Sequence, residues 1–126
     1  MSAKASFPFF AAHPELVYLD SAATTQKPTS VIEALDAFYR TQNVNVHRGS
    51  YSSAKSLTSL YENTRQAVAE LINAPSSKNI AWTKGTTDSI NLVAQSWARH
   101  QLKAGDRIVL LACEHHANIV PWQQIA

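Results

Sequence analysis

The stretch that most constrains this chain is residues 84–91, KGTTDSIN, a turn with one glycine and two adjacent threonines. The residues before it, 79–83, are rich in types suited to a buried β-strand. After the turn, apolar residues recur at helical spacing from Ile90 to Trp97, which predicts a helix that begins near Thr87. The sequence therefore predicts a buried strand that runs through a glycine turn into a helix.

Such a turn directs free backbone N–H groups and side-chain hydroxyls towards one spot, at the positive end of the helix dipole. Phosphate binding by Thr86 and Thr87 is one interpretation of this arrangement. The other is ordinary capping, in which one of the two hydroxyls accepts a hydrogen bond from an amide of the first turn. A reciprocal capping box is excluded because Ser89 and Ile90, three positions on, cannot complete it.

Composition excludes several classes of protein. With 11 basic and 9 acidic residues and no basic run, we expect no nucleic-acid partner. The single cysteine, Cys113, excludes a disulfide framework and fits a reducing compartment. No apolar stretch reaches membrane-spanning length, and residues 1–6 lack the apolar core of a signal peptide. We therefore expect a cytoplasmic protein with no membrane partner.

The predicted elements alternate in a way that is typical of an α/β fold, with a mostly parallel sheet and crossover helices. They are strand 16–19, a helix that opens at Pro28 with a Thr29 or Ser30 cap and ends near residues 42–43, helix 53–73, strand 79–83, a helix from 87, strand 107–112 and a helix from 119. Residues 1–15, with the aromatic patch 7–10, are expected to form an arm that packs on a single domain, 16–126.

Ligands of parallel sheets collect beyond the carboxyl ends of the strands. Both the turn at Gly85 and the sequence Glu114-His115-His116 follow predicted strands, so we expect them to face one crevice. Adjacent histidines on a helix diverge by about 100°, and no HExxH or CxxC motif is present, so no metal site is predicted. A histidine above a planar, phosphate-bearing cofactor ring fits this crevice better.

Two loops complete the candidate site. Residues 20–25 are small or carry hydroxyls, which lets a ligand or another backbone approach closely. Residues 43–50 place His47 and Arg48 beside Gly49. Such a loop is either functional or simply a solvated pair of side chains, and the residues alone leave both interpretations open.

Four motifs, taken together, resemble the amino-terminal part of the class V aminotransferase family. They are residues 18–23 (YLDSAA), 45–49 (NVHRG), 85–91 (GTTDSIN) and 114–122 (EHHANIVPW). The similarity runs from about Phe7 to the end of the chain and is strongest to the cysteine desulfurase and selenocysteine lyase branch. The most specific part is the run that starts at His115.

This resemblance implies part of the large domain of a type I PLP-dependent transferase, in a homodimer of two-domain subunits. It implies pyridoxal 5′-phosphate (PLP) as cofactor, L-cysteine or L-selenocysteine as substrate, and a sulfur-acceptor protein as partner, with L-alanine as product. Thr86 and Thr87 would bind the PLP phosphate. His115 would stack on the ring as the catalytic residue and can also relay protons.

The resemblance also implies roles for the two loops. Ala22 and Ala23 would lie near the substrate, and His47 and Arg48 would belong to a loop that reaches towards the partner subunit's active site. Asp88 stands where relatives usually carry glutamate, so a contact that needs the longer side chain is in question.

Family members are several times longer than 126 residues, and the segments with the Schiff-base lysine and the nucleophilic cysteine have no counterpart here. Cys113 is expected to be structural, at the end of a buried strand. Lys84 is the one lysine at the expected end of the sheet, but it adjoins Gly85 and so reaches the phosphate rim more easily than the aldehyde. No covalent anchor is therefore expected.

The chain also ends within a predicted helix. We therefore expect an amino-terminal fragment, inactive alone, of a cysteine desulfurase. The alternatives are another class V PLP lyase or transaminase, and a non-catalytic α/β interaction module.

Overall fold

Helices carry the regular structure of residues 3–126, the part of the chain that this computed structural model describes. The α-helices are α1 (Pro8–Ala12), α2 (Thr29–Ala37), α3 (Ser52–Leu71), α4 (Thr86–Leu92), α5 (Arg99–Gln101) and α6 (Val120–Gln123). Short 3-10 helices span Ala3–Ser6, Ser77–Asn79 and His116–Asn118, and π-helical segments span Phe38–Gln42 and Val93–Ala98. The chain divides into a first unit that ends at Leu71 and a second unit, Ile72–Ala126.

The aromatic patch at residues 7–10 packs against Tyr18 in the first unit. The rings of Phe9 and Phe10 meet the Tyr18 ring edge-on, with centroids 5.9 and 6.3 Å apart. Edge-to-face contacts of this kind are favourable beyond the area that they bury. The hydroxyl of Thr29, at the start of α2, donates to the carbonyl of Ser6 at 3.3 Å. Residues 6–10 are thereby tied to Tyr18 and to the start of α2.

Helix α2 begins without the cap that the sequence predicts. Its N-cap residue is Pro28, in an extended conformation with φ −69° and ψ 156°, and no side-chain cap is present. The predicted Thr29 or Ser30 cap is therefore wrong, because the Thr29 hydroxyl is engaged by Ser6 instead. The helical segment ends at Gln42, as expected, through its π-helical turn.

Helix α3 lies close to its predicted bounds and buries only part of its apolar stripe. Ala54, Leu57 and Ala69 are buried, whereas Leu60 and Leu71 are exposed. The buried positions are mostly alanines, which permit a close approach of neighbouring backbone. The first unit therefore has a thin core.

The second unit is built in the same way around Ile80, Ala94 and Ala98, all of which are buried. The 3-10 helix Ser77–Asn79 is capped by the Ser76 hydroxyl, which accepts from the Lys78 amide at 3.2 Å. Helix α6 ends at Gln123, short of the chain end that the predicted helix reached.

The predicted parallel sheet is not confirmed, since residues 3–126 contain no strand. Within the predicted strands, Val17, Leu19 and Val109 are 76%, 89% and 88% exposed. A parallel strand needs a hydrogen-bonded neighbouring strand and a covering helix on each face. An apolar run is suited to such a position, but it forms a strand only where these neighbours are present. The predicted burial of Cys113 is wrong for the same reason: the cysteine is exposed.

No helix within residues 3–126 is both long enough and apolar enough to span a bilayer.

The thin core of α3 makes a direct prediction. Leu57→Ala should lower the free energy of unfolding by about 2 kcal/mol, because it removes buried methyl groups and leaves a gap. Leu71→Ala, at a position of the same helix that is 84% exposed, is the matched control and should change it by less than about 0.5 kcal/mol. Urea unfolding measures both, and equal losses would show that Leu57 is not a core residue.

Candidate functional site

Gly85 opens α4 in a conformation that only glycine adopts readily. Its φ is 156° and its ψ is 179°, outside the regions open to residues with a Cβ. A Cβ built at this position would have no atom within 4 Å. The requirement for glycine therefore comes from the backbone conformation and not from a lack of space.

Hydroxyl groups hold this turn by its carbonyl oxygen. The Gly85 oxygen accepts from the Ser89 amide at 3.0 Å and from the Ser89 and Thr83 hydroxyls at 3.2 Å each. The two hydroxyls also lie 2.7 Å from one another. Sequence reasoning missed Thr83 and Ser89 as parts of the site, although hydroxyl residues two positions before and four after a turn glycine were a usable signal.

Thr86 and Thr87, by contrast, leave their hydroxyls available. Helix α4 has no side-chain cap, so the capping interpretation is wrong. Neither hydroxyl has a hydrogen-bond partner among residues 3–126. The first amides of a helix also lack acceptors within the helix. Two hydroxyls and a set of backbone donors thus share one spot at the start of α4.

The open hollow at this spot has a volume of about 460 Å³ and is lined by Lys84, Gly85, Thr86, Thr87, Asp88 and Asn91. This volume lies within the range of small-molecule sites. The Lys84 ammonium favours an anion there, whereas the Asp88 carboxylate opposes one. An oxygen of that carboxylate accepts from the Lys84 amide at 3.2 Å, which ties Asp88 to the turn. The donors present fit a phosphate group.

His115 directly precedes a short helix that packs against α4. It is the N-cap residue of the 3-10 helix His116–Asn118, and that helix contacts α4. Its Nδ1 accepts from the Ala117 amide at 3.1 Å, so the neutral ring carries its proton on Nε2. The structure therefore brings the His115 segment to the helix that bears Thr86 and Thr87.

The His115 and His116 rings meet edge-on, with centroids 6.2 Å apart and an angle of 76° between their planes. Among the described residues, no group of three or more histidine, cysteine, aspartate or glutamate side chains is placed to hold a metal ion. Farther along, the Trp122 indole N–H donates to the Asn118 carboxamide at 2.9 Å. This bond fixes the start of α6 to the histidine segment.

The loop with Ala22 and Ala23 is held in the first unit by Tyr18. The Tyr18 hydroxyl donates to the Thr24 carbonyl at 2.5 Å and lies 3.1 Å from the Asp20 carbonyl. The amides of Ala23 and Thr24 donate back to Asp20, at 3.2 and 3.1 Å. Both alanines are exposed at the tip of this turn. Sequence reasoning treated Tyr18 as a strand residue only and missed its role in closing the loop.

His47 and Arg48 also lie in the first unit, on the loop that precedes α3. His47 has a positive φ of 67°. Its Nε2 lies 3.5 Å from an oxygen of the Glu62 carboxylate, and its ring meets the Tyr61 ring edge-on at 5.4 Å. The Arg48 side chain is exposed and makes no ion pair or hydrogen bond within residues 3–126. His47 is therefore held, and Arg48 is left available.

A second hollow of the second unit, of about 530 Å³, is mostly apolar. Its lining includes Leu102, Ile108, Leu110, Trp122 and Ile125. Lys103 and Asp106 also line it, and the Asp106 carboxylate accepts from the Lys103 amide at 2.8 Å.

Comparison with known proteins places these features in context. The family model described as aminotransferase class-V matches residues 17–126. A protein of Vibrio cholerae named as a probable cysteine desulfurase is 60% identical over 111 residues, which are 88% of this chain and 28% of that relative. The chain thus spans less than a third of the length of the relative that it matches.

Two solved structures are similar in backbone as well as in sequence. The apo structure of a cysteine desulfurase from Thermococcus onnurineus has a TM-score of 0.85 at 38% identity, over 97% of this chain and 29% of the other. The cysteine desulfurase CsdA of Escherichia coli, in an S-sulfonic acid form, has a TM-score of 0.76 at 51% identity, over 97% and 30%. The resemblance drawn from the four sequence motifs is thereby confirmed.

Proposed function

We propose, from the premise that this chain belongs to the aminotransferase class-V family, that it is the amino-terminal part of a PLP-dependent cysteine desulfurase. The observation that carries the proposal is the start of α4. There, two free hydroxyls and unpaired helix amides surround a hollow, and the His115 segment contacts the same helix. A phosphate-bearing ring would bind its phosphate at the start of α4 and would place its ring against the His115 segment.

The phosphate of PLP would be held by Thr86 and Thr87, with the first amides of α4 and the helix dipole adding to their effect. PLP, when bound, supplies the electron sink that allows bonds of the amino-acid substrate to break. The Gly85 turn orients the two threonines, because Ser89 and Thr83 fix its carbonyl. Asp88 partly offsets the charge of Lys84 and so limits how strongly any anion binds.

His115 is proposed as the catalytic residue that stacks on the ring. The hydrogen bond from the Ala117 amide occupies Nδ1 and leaves Nε2 as the atom at which a proton is held or moved. A ring held in this way keeps one tautomer. This is the property that a proton relay needs, because its donor and acceptor atoms must not exchange.

In the proposed reaction, the carbon–sulfur bond of L-cysteine or L-selenocysteine breaks, and the chalcogen passes to a thiol. With cysteine, one thiol is converted to a persulfide and L-alanine is released, so atoms balance without an oxidant. The persulfide sulfur would then pass to an acceptor protein. Ala22, Ala23, His47 and Arg48 are proposed to lie near the substrate, the last two acting across a homodimer.

The proposed architecture is an arm, 1–15, followed by part of the PLP-binding large domain, 16–126. In a complete large domain the apolar runs 16–19, 79–83 and 107–112 would pair as strands of a mostly parallel sheet. The exposure of Val17 and Val109 supports this part of the proposal, since exposed apolar runs of that kind call for a covering partner. A cytoplasmic location is proposed with it.

Thr87→Ala in the complete protein should weaken PLP binding by about 1–3 kcal/mol, the size of a hydrogen bond to a charged group. Thr87→Ser keeps the hydroxyl and should bind normally. Thr64→Ala is the control, because the Thr64 hydroxyl donates only to the Leu60 carbonyl of its own helix. Titration of the apoprotein with PLP measures all three, and an unchanged affinity in Thr87→Ala would remove Thr87 from the site.

The products decide the reaction class. The complete protein, supplied with PLP, L-cysteine and a thiol reductant, should release alanine and sulfide in equal amounts. His115→Ala should abolish release, whereas His100→Ala, which alters a histidine whose ring contacts the Ser96 carbonyl, should leave it intact. A transaminated product without sulfide would instead favour another class V enzyme. No turnover and no PLP binding would favour a non-catalytic module.

We further propose that the covalent lysine and the nucleophilic cysteine are not among these 126 residues. Lys84 adjoins the phosphate hollow, and Cys113, although exposed, does not match the family's nucleophile. Borohydride reduction of the 126-residue chain with PLP should therefore label no lysine above a denatured control. Stoichiometric labelling at a single lysine would overturn this statement and restore the chain as a candidate enzyme by itself.

A further inference from the structure

We propose that Thr58 is a positioning residue, which holds the loop at His47 on α3 and so sets where Arg48 is presented. This inference rests on the proposed function for the role of Arg48. The anchoring of the loop itself stands on the geometry of the first unit, and the two parts are tested separately.

The loop makes an unusual turn at His47. The Arg48 amide donates to the Val46 carbonyl at 2.9 Å, across a residue whose φ is 67°. A hydrogen bond between residues i and i+2 around a positive φ is the pattern of the γ-turn in its rare, strained form. Strained backbone of this kind persists only where its surroundings enforce it, and it is concentrated at functional sites.

Thr58 supplies the enforcing contact. Its hydroxyl donates to the Ala54 carbonyl at 2.7 Å, which orients the oxygen, and it accepts from the His47 amide at 2.9 Å. The hydroxyl has a single proton, which it donates within α3, so it can only accept from the loop through a lone pair of its oxygen. The amide at the strained residue is thereby fixed to a half-buried side chain of a 20-residue helix.

Contacts one turn to either side of Thr58 support the same placement. A Cβ on Gly49 would lie 2.3 Å from the Cβ of Ala54, so the loop approaches α3 as closely as glycine allows. On the other side, Tyr61 and Glu62 contact the His47 ring. Residues 54, 58, 61 and 62 share one face of a helix. The loop is therefore held on that face at successive turns.

Arg48 is the residue that this arrangement leaves outward. It follows the anchored His47 and precedes the anchored Gly49, yet its own side chain is exposed and unpaired within residues 3–126. The strained turn at His47 and the close contact at Gly49 thus flank Arg48, and the Arg48 guanidinium takes part in neither. An arginine that binds a substrate benefits from a rigid loop, because the entropy lost on ordering the loop does not then reduce the affinity for the ligand.

The test uses three variants of the complete protein. Thr58→Val keeps the branched shape and removes the hydroxyl, and Thr58→Ser restores it. Thr64→Val is the matched control, since Thr64 makes the same bond to its helix, to the Leu60 carbonyl at 2.8 Å, and its hydroxyl makes no hydrogen bond to the loop. Both valine variants therefore lose one equivalent bond within α3, and only Thr58→Val releases the loop.

The first readout is amide hydrogen exchange of the peptide that contains residues 44–50. Exchange at His47 should rise about tenfold or more in Thr58→Val and stay at the wild-type rate in the other two. The second readout is cysteine turnover. If the released loop is productive for about a tenth of the time, KM rises about tenfold while kcat is retained, and Thr58→Ser restores KM.

Unchanged exchange in Thr58→Val would overturn the anchor, whatever the turnover. Faster exchange with an unchanged KM, in a protein that is active, would overturn the role of the anchor in presenting Arg48. A wild-type protein without cysteine turnover would overturn the proposed function, and the exchange result would then decide the anchor by itself. A fall in kcat alone, equal in both valine variants, would indicate a general loss of stability and would also overturn the proposal.

Discussion

The carbonyl oxygen of Gly85 is the fixed point on which the candidate site depends. Three donors from two side chains and one amide converge on it, and they hold a backbone conformation that no other residue would adopt without strain. Because that oxygen is fixed, the next residues start α4 with their hydroxyls and amides unused. Without the hydrogen bonds to the Gly85 oxygen, the same residues would be present but would no longer face one hollow.

Side-chain hydroxyls play the same part in the first unit. Tyr18 closes the turn at Ala22 and Ala23, and Thr58 holds the turn at His47. In each case the hydroxyl lies outside the loop that it fixes and bonds to the loop's main chain. Arg48 and the two alanines are therefore left unencumbered, since the hydroxyls that order each loop bond to its backbone.

The sequence predicted the helices and the site turn well and the tertiary context less well. Helices α3 and α4 were found because an apolar stripe and a glycine turn are local signals. The strands at 79–83 and 107–112 and the burial of Cys113 depend on neighbours that are distant along the chain, which a local pattern cannot supply. Thr58 and Ser89 were missed because a serine or threonine within a helix looks the same in sequence whether its hydroxyl faces water or holds a loop.

The buried alanines have a consequence for how this segment tolerates change. Ala54, Ala69, Ala94 and Ala98 are at most 1% exposed, and no large side chain is fully enclosed within the described residues. These four alanines have little volume to lose, so truncation at their positions is a minor hazard, whereas a single added methyl group has no space to occupy. Substitutions at these positions are therefore limited in side-chain size. Residues larger than alanine should be excluded there during evolution, whereas residues no larger than alanine should be tolerated.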